Sequence, residues 1–278
     1  YLQVASRLRA LSQMGHPTDK IELIVLGGTW DDYPSEYRTW FMAELFRALN
    51  DGDAMEAHAA ERRAFYREAG ILNDEQGLAA AAKDLQEALN DGKSSFADAL
   101  RTLYGDSAAW AKASAMQHAT LEEVDRLQEE NEHAQHRCVG LVVETRPETI
   151  TTPKLALLRR LGCTKVQIGI QSLDQSILEL NNRHTDPHAI QEAFALLRLF
   201  GFKIHAHFMV NLYGATPEAD KLDYRTFVTD PHYLPDEVKL YPCALVEGTG
   251  LVPHYEDGSW RPYTEEELMD VLSHDTLV

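Results

Sequence analysis

An α/β fold built on parallel strands is predicted by two features of the sequence. Short apolar runs of five to eight residues recur with helical segments between them, which is the rhythm of βαβ units in a barrel or a doubly wound sheet. The composition is that of a globular protein: 278 residues, 44% hydrophobic and 25% charged, which excludes a fibrous or globally disordered chain. The longest apolar run, residues 21–28, is far short of the roughly 20 residues that cross a bilayer.

The elements follow in order. Residues 2–14 form an amphipathic helix that ends at Gly15, a natural C-terminal glycine, and they lack the apolar core of a signal peptide. Ile21-Glu-Leu-Ile-Val-Leu is a buried strand that stops at Gly27-Gly28. Pro34 opens a helix to about Leu49, closed by Asn50-Asp51-Gly52. Further strands are expected at 138–144, 165–170, 202–210 and 237–240. Helices are expected near 152–161, 174–181, 187–200 and 217–228. Residues 54–136 break the alternation, being rich in Ala, Glu and Gln, free of proline and without a strand-like run. Thr120-Leu-Glu-Glu reads as a capping box opening a polar helix whose acidic residues make a solvated face. Apolar residues recur throughout (Phe65, Leu72, Leu85, Phe96, Leu103, Trp110), so this stretch reads as a helical insertion or lid rather than a linker. The expected organisation is a barrel from 1–53 and 137–278 with that insertion at 54–136.

The net charge of −18 is unevenly placed. Residues 51–137 hold 18 Asp and Glu against 9 Lys and Arg, and residues 246–278 hold 8 acids against Arg261 alone. The remainder is nearly neutral, so bulk charge does not exclude a nucleic-acid partner, and it leaves self-association into a homo-oligomer through the barrel body open. Cys138, Cys163 and Cys243 lack metal-knuckle spacing and fit a reducing, cytoplasmic setting.

In parallel α/β folds chemistry gathers at the carboxyl ends of the strands. Here those ends are Gly27-Gly28-Thr29, Glu144-Thr145-Arg146-Pro147, Gln171-Ser172, His205/His207/Asn211, and Lys239/Tyr241. Each has a structural alternative. Gly27-Gly28 serve a tight turn or the close approach of a ligand to the backbone; Glu144 and Arg146 form a pair or face a ligand; Gln171 caps the next helix or binds. His205 and His207 share one strand face and suit a metal, as in a hydrolase on a TIM-like barrel, or hydrogen bonding. Arg183, in Asn181-Asn182-Arg183-His184, is placed to reach a phosphate.

Several strings form an ordered set: Gly15-His16-x-x-Asp19-Lys20, Ile24-Val-Leu-Gly27-Gly28-Thr29, Glu36-Tyr37-Arg38, Glu144-Thr145-Arg146-Pro147, Gln167-Ile-Gly-Ile-Gln171-Ser172, Asn182-Arg183-His184-Thr185, Ala206-His207-Phe-Met209, Lys239-Leu-Tyr241-Pro242 and Gly248-Thr249-Gly250-Leu251. Together they resemble the radical-SAM part of the Elongator catalytic-subunit family, over residues 1–50 and about 137–273. The resemblance implies an α/β partial (β/α)6 TIM-like barrel carrying a 4Fe–4S cluster and S-adenosylmethionine, with an acetyltransferase domain beyond it that handles acetyl-CoA. It implies an acyltransferase that carboxymethylates carbon 5 of the tRNA wobble uridine: a deoxyadenosyl radical takes hydrogen from the acetyl methyl group, and the carbon radical adds to the base in the anticodon stem-loop. On this analogy Gly27, Gly28, Thr29, Glu144 and Gln171 hold S-adenosylmethionine. Lys20 contacts acetyl-CoA, although it opens a strand. Arg146, Arg183, His207, Lys239 and Tyr241 face the cavity or the tRNA.

Fe–S clusters are held by thiolates, and Cys138, Cys163 and Cys243 are too far apart in sequence to form the family's cluster motif, which lies upstream of the first string. The chain therefore reads as part of a longer protein and as inactive alone. The competing readings are a non-catalytic tRNA-binding barrel, the His205/His207 hydrolase, and a porphyrinogen-oxidase-like radical-SAM enzyme, against which the Glu-Thr-Arg-Pro and Lys-Leu-Tyr-Pro strings argue. The 278-residue chain is expected to take up no stoichiometric iron and sulfide on anaerobic reconstitution; iron analysis checks this.

Overall fold

The computed structural model describes residues 1–71, 75–105 and 107–278; Leu72, and the side chains of residues 75, 77, 78 and 81, lie outside the described set. Along the chain run α1 (Leu2–Gln13), β1 (Lys20–Val25), α2 (Ser35–Asn50), α3 (Met55–Ala69), α4 (Glu75–Asn90), α5 (Phe96–Leu100), α6 (Ala108–Ser114) and α7 (Leu121–Asn131). Then follow β2 (Arg137–Thr145), α8 (Thr152–Arg160), β3 (Lys165–Gln171), α9 (Gln175–Leu180), α10 (Pro187–Leu199), β4 (Lys203–Val210), α11 (Pro217–Thr229), β5 (Glu237–Pro242), α12 (Val252–Glu256) and α13 (Glu265–Leu277). The strands and helices expected of the alternating pattern are present to within two or three residues, and the helix opened by Thr120 ends at Asn131, short of the expected end near Gln135. Among the described residues no helix is long and apolar enough to cross a membrane.

The chain divides into two compact units, Tyr1–Ile21 with Pro34–Val139, and Glu22–Tyr33 with Gly140–Val278. The sequence reading drew its boundary at 54 and 136 instead. The reason for the difference lies in α2 and α7. Thr120 caps α7 by accepting a hydrogen bond from the Glu123 amide at 3.1 Å, and the helix is solvated on one side only. Its Val124 and Leu127 are buried, as are Met42, Phe46 and Leu49 of α2. Arg47 of α2 pairs with Glu123. Asn50 Nδ2 donates to the Leu127 carbonyl at 2.9 Å and its Oδ1 accepts from Asn131 Nδ2 at 2.6 Å. These contacts join α2, which reads as part of the barrel, to the helices after it.

The second unit carries the sheet, ordered β1-β2-β3-β4-β5. From β2 to β5 each strand pairs in parallel with the next, joined by helical crossovers as parallel pairing requires. The partial barrel expected from the (β/α)6 resemblance thus has five strands among the described residues. One face of the sheet is apolar: Val143, Val166, Ile168, Ile170, Ile204, Ala206, Phe208 and Val210 are fully buried. Phe208 stacks on Phe227 of α11, which meets Phe194 of α10 edge-on.

The opposite face is polar at its base. The Lys165 ammonium, in the central strand, lies 3.0 Å from Glu22 of β1 and 2.9 Å from Glu237 of β5. Strands pair roughly 4.8 Å apart, so one ammonium that meets both edge strands requires a sheet curled about β3, concave on that side. The result is a half-barrel.

Asn131 is 3% exposed, donates to Asn50 and to the His136 carbonyl at 3.0 Å, and accepts from the Cys138 amide at 2.7 Å. Asn131→Ala is expected to cost about 2–4 kcal/mol, because several buried polar groups lose a partner together; urea unfolding of the chain measures it.

Candidate functional site

Period-two geometry places alternate residues of each strand on the concave face, and the register aligns them. Glu144 stands beside Gln167, Gln167 beside His205, and His205 beside Glu237. One step toward the carboxyl ends, Gly169, His207 and Lys239 are neighbours, followed by Met209 and Tyr241.

The contacts agree with this arrangement. His205 Nδ1 lies 3.3 Å from Glu237 and 3.5 Å from Gln167 Nε2. His207 Nδ1 lies 3.7 Å from Glu144, and the His207 ring packs against both His205 and Tyr241. Burial raises the Glu144 carboxyl above its usual range, against the pull of Lys239. Burial also lowers His207 to about 4, aided by Lys239 and His205, so the ring is neutral near pH 7. Burial lowers His205 as well, with Glu237 opposing.

Three buried polar atoms of this face, Gln167 Oε1, Gln171 Oε1 and His207 Nε2, have no hydrogen-bond partner among the described residues. Buried polar atoms are normally satisfied by protein, water or ligand, so this wall is chemically incomplete without an occupant. Gln171 also holds a left-handed backbone, φ 69°, a conformation that a non-glycine residue keeps only where its surroundings enforce it. The helix after it is capped by Asp174, which accepts from the Ser176 and Ile177 amides; Gln171 is therefore free of the capping role that the sequence left open. A Cβ at Gly169 would sit 2.9 Å from Gln171 Nε2, so the absence of a side chain there lets the Gln171 amide lie where it does. Arg183 donates to the Gly169 carbonyl at 2.8 Å, which commits part of its guanidinium to the wall.

The segment after β1 joins the same end of the unit. Gly27, at φ 147°, adopts a backbone that favours glycine, and the nearest atom to a Cβ on Gly27 or Gly28 would be the Tyr33 hydroxyl, 3.8 and 4.0 Å away. A Cβ at either glycine would make only ordinary contact, with the Tyr33 hydroxyl. Thr29 precedes a short turn, Trp30–Asp32. Asp31 accepts from Thr145 at 2.8 Å, and Arg146 pairs with Asp32 and Glu148, each at 3.3 Å, rather than with Glu144. Glu144 is left facing His207 and Lys239. Lys20 opens β1, is exposed, and falls in the first unit.

The structure therefore groups Glu144, Gln171, Arg183, His205, His207, Lys239 and Tyr241 on one polar wall. Gln167 and the basal Glu22, Lys165 and Glu237 were not singled out from the sequence. Gln167 had a legible signal, being four residues before Gln171 on the same strand face. Among the described residues no group of three or more His, Cys, Asp or Glu could hold a metal ion. The three cysteines are free and ungrouped, and burial pushes the Cys163 thiol up to about 12. They do not fit a 4Fe–4S cluster. The glycine pair and the unpaired polar wall do fit a small polar nucleoside.

The half-barrel of parallel strands carries its polar wall at their carboxyl ends, and residues 114–223 match the family described as Radical SAM superfamily, which gives the class of the fold. Over nearly its whole length the chain belongs to the Elongator catalytic-subunit family. It is 31% identical over 274 residues to the tRNA uridine(34) acetyltransferase of Methanocaldococcus infernus, covering 99% of this chain and 39% of that protein. It is 33% identical over 273 residues to the enzyme of the same name from Dehalococcoides mccartyi (98% and 45%), and 26% identical over 273 residues to Elongator complex protein 3 of Homo sapiens (98% and 38%). The solved structure of archaeal Methanocaldococcus infernus Elp3 with an N-terminal deletion superposes with a TM-score of 0.70 at 30% identity, covering 99% of this chain and 49% of that one. The chain thus spans about two fifths of the length of these curated relatives.

His207 supplies a pH signature. The unfolded ring titrates near 6.5 and the folded one at about 4, so the unfolded chain binds the extra proton and stability is lost as pH falls from about 6.5 to 4. An NMR titration is expected to show the ring neutral down to about pH 5, and His207→Gln to flatten the stability slope in that window.

Proposed function

We propose that this chain is the S-adenosylmethionine-binding barrel of a cytoplasmic enzyme that uses acetyl-CoA to carboxymethylate carbon 5 of the wobble uridine in tRNA. The observation that carries the reading is the unsatisfied wall of Gln167, Gln171 and His207 beside Glu144, in a chain whose relatives are named for acetyl transfer to tRNA uridine 34. S-adenosylmethionine, when bound, supplies a carbon radical precursor to such chemistry.

The chain's own residues bind and orient. Gly27 and Gly28 offer backbone groups unshielded by a side chain of their own, and Thr29 continues that edge. Glu144 offers a carboxylate to an ammonium group, and Lys239 beside it favours its charged form. Gln167 and Gln171 offer amide oxygens to hydroxyl or amino donors. His207, neutral at Nε2, donates or accepts a single hydrogen bond without adding charge. Arg183, Arg146 and Tyr241 present donors from the same wall toward the acetyl donor or the RNA, with Arg183 and Arg146 already anchored by Gly169 and by Asp32 and Glu148. Lys20 is the proposed acetyl-CoA contact. The cluster finds no fit among this chain's cysteines. The helices of residues 54–136 are proposed as an accessory helical segment of the enzyme, and an acetyltransferase domain and the tRNA anticodon stem-loop as the barrel's partners.

In the intact protein, Glu144→Ala is expected to weaken S-adenosylmethionine binding about tenfold or more, the scale of a lost charge-assisted hydrogen bond, while tRNA affinity changes less than twofold. Calorimetry for the nucleoside and an electrophoretic shift for tRNA measure the two; equal losses would assign Glu144 a purely structural role.

A further inference from the structure

The end of β4 is held by a device that the wall itself does not use. Asn211, the first residue beyond the strand, is 3% exposed and left-handed, with φ 61°. Its amide donates to Asp220 Oδ2 of α11 at 2.7 Å, and its carbonyl accepts from Trp260 Nε1 at 3.0 Å. The same Asp220 oxygen accepts from the Tyr263 hydroxyl at 2.7 Å. Trp260 and Tyr263 lie three residues apart just before α13, so the segment 260–263 grips Asn211 twice, once directly and once through Asp220.

The neighbouring backbone is equally committed. The Val210 carbonyl accepts from the Cys243 amide at 2.8 Å, and the Leu212 carbonyl from the Ala215 amide at 2.9 Å. Asn181 donates to the Tyr213 carbonyl at 2.9 Å and accepts from its amide at 3.2 Å. A turn with this many fixed groups is rigid as long as its one strained residue is held. Asp220 is buried and is the charged partner of Asn211. It sits where β4 delivers His207 and Met209 to the mouth.

We propose that Asp220 is a positioning residue for the ligand site: by clamping Asn211 between α11 and the 260–263 segment, it fixes the β4 rim that carries His207 and Met209. The proposal rests on the nucleoside-binding reading above for its ligand, but the clamp has its own observable. Burial raises the Asp220 carboxyl to about 6, opposed by the Asn211 amide and the Tyr263 hydroxyl and reinforced by Asp223 on α11 and Asp275 on α13. Of the other charges on these helices, His274 pairs with Asp275, Lys221 with Asp270 and Glu267 with Arg261, and Asp223 accepts from the Ser172 hydroxyl; Glu218, Arg225, Glu265 and Glu266 complete the set. Above pH 6 the carboxylate grips both donors; below it the protonated group accepts more weakly.

The test compares wild type with Asp220→Asn in the intact protein, measuring S-adenosylmethionine affinity from pH 5 to 8 and hydrogen exchange at the Asn211 amide. The expected result is a roughly tenfold weaker affinity for the variant above pH 7, faster exchange at Asn211, and a wild-type affinity that falls more steeply below pH 6 than the variant's, the titration of the ligand-facing Glu144 being common to both. Unchanged affinity, or equal pH slopes in the two proteins, overturns the proposal. If neither protein binds S-adenosylmethionine, the ligand reading has failed and the exchange alone decides: equal exchange at Asn211 in both overturns the clamp. Should Asp220→Asn not fold, Tyr263→Phe removes one donor, and the wild-type pH midpoint must move upward; an unmoved midpoint is again fatal.

Discussion

The half-barrel depends on one ammonium. Lys165 stands in the central strand and meets carboxylates of both edge strands, Glu22 and Glu237. The hydrogen bonds it donates to Glu237 and to Glu22 hold it charged against the cost of burial. The two carboxylates are 46% and 42% exposed, so each pair contributes about 1 kcal/mol or less. Its importance is geometric. A flat sheet would hold its polar face open to water, whereas a sheet curled about Lys165 brings Glu144, Gln167, His205, His207 and Lys239 onto one concave surface. Small neighbours make room for the curl: Glu22 packs over Gly140, where a Cβ would lie 3.2 Å from its Cγ.

Above that base the wall trades stability for readiness. An apolar interior would be cheaper than one that buries amide oxygens and an imidazole nitrogen without partners. The cost is tolerated at the carboxyl ends of the strands, where parallel α/β folds bind their ligands. The opposite face compensates with a continuous apolar layer and the Phe194, Phe208 and Phe227 cluster. One sheet thus divides its labour by face: the odd-numbered positions of β4, His205, His207 and Met209, serve the site, and the even-numbered ones serve the core.

The backbone around the mouth follows the same logic. Gly27 takes a φ that favours glycine, and Gln171 and Asn211 are non-glycine residues kept left-handed at the ends of β3 and β4. Strain of this kind persists only where surrounding contacts enforce it. Asp220, Trp260 and Tyr263 supply those contacts for Asn211, which ties the C-terminal segment of the unit to the geometry of its mouth.

The sequence by itself determined the elements, their parallel class and most of the wall. Apolar runs of strand length, glycine stops and helix formers are local signals, and alternate polar residues such as Gln167 and Gln171, or His205 and His207, declare a shared face without any knowledge of the fold. Its ordered strings also carried the family. Only the tertiary structure decided the partners. Arg146 turns to Asp32 and Glu148 instead of Glu144 because the segment after β1 returns to the end of β2, a contact across more than 110 residues. The acidic helix α7 buries Val124 and Leu127 against α2 because a stripe of two or three apolar residues gains its meaning from what lies opposite. Lys165, Glu22 and Glu237 look like isolated charges at strand starts until the sheet curls and makes them neighbours. Pairing across a curved sheet depends on register and curvature, which no single strand encodes.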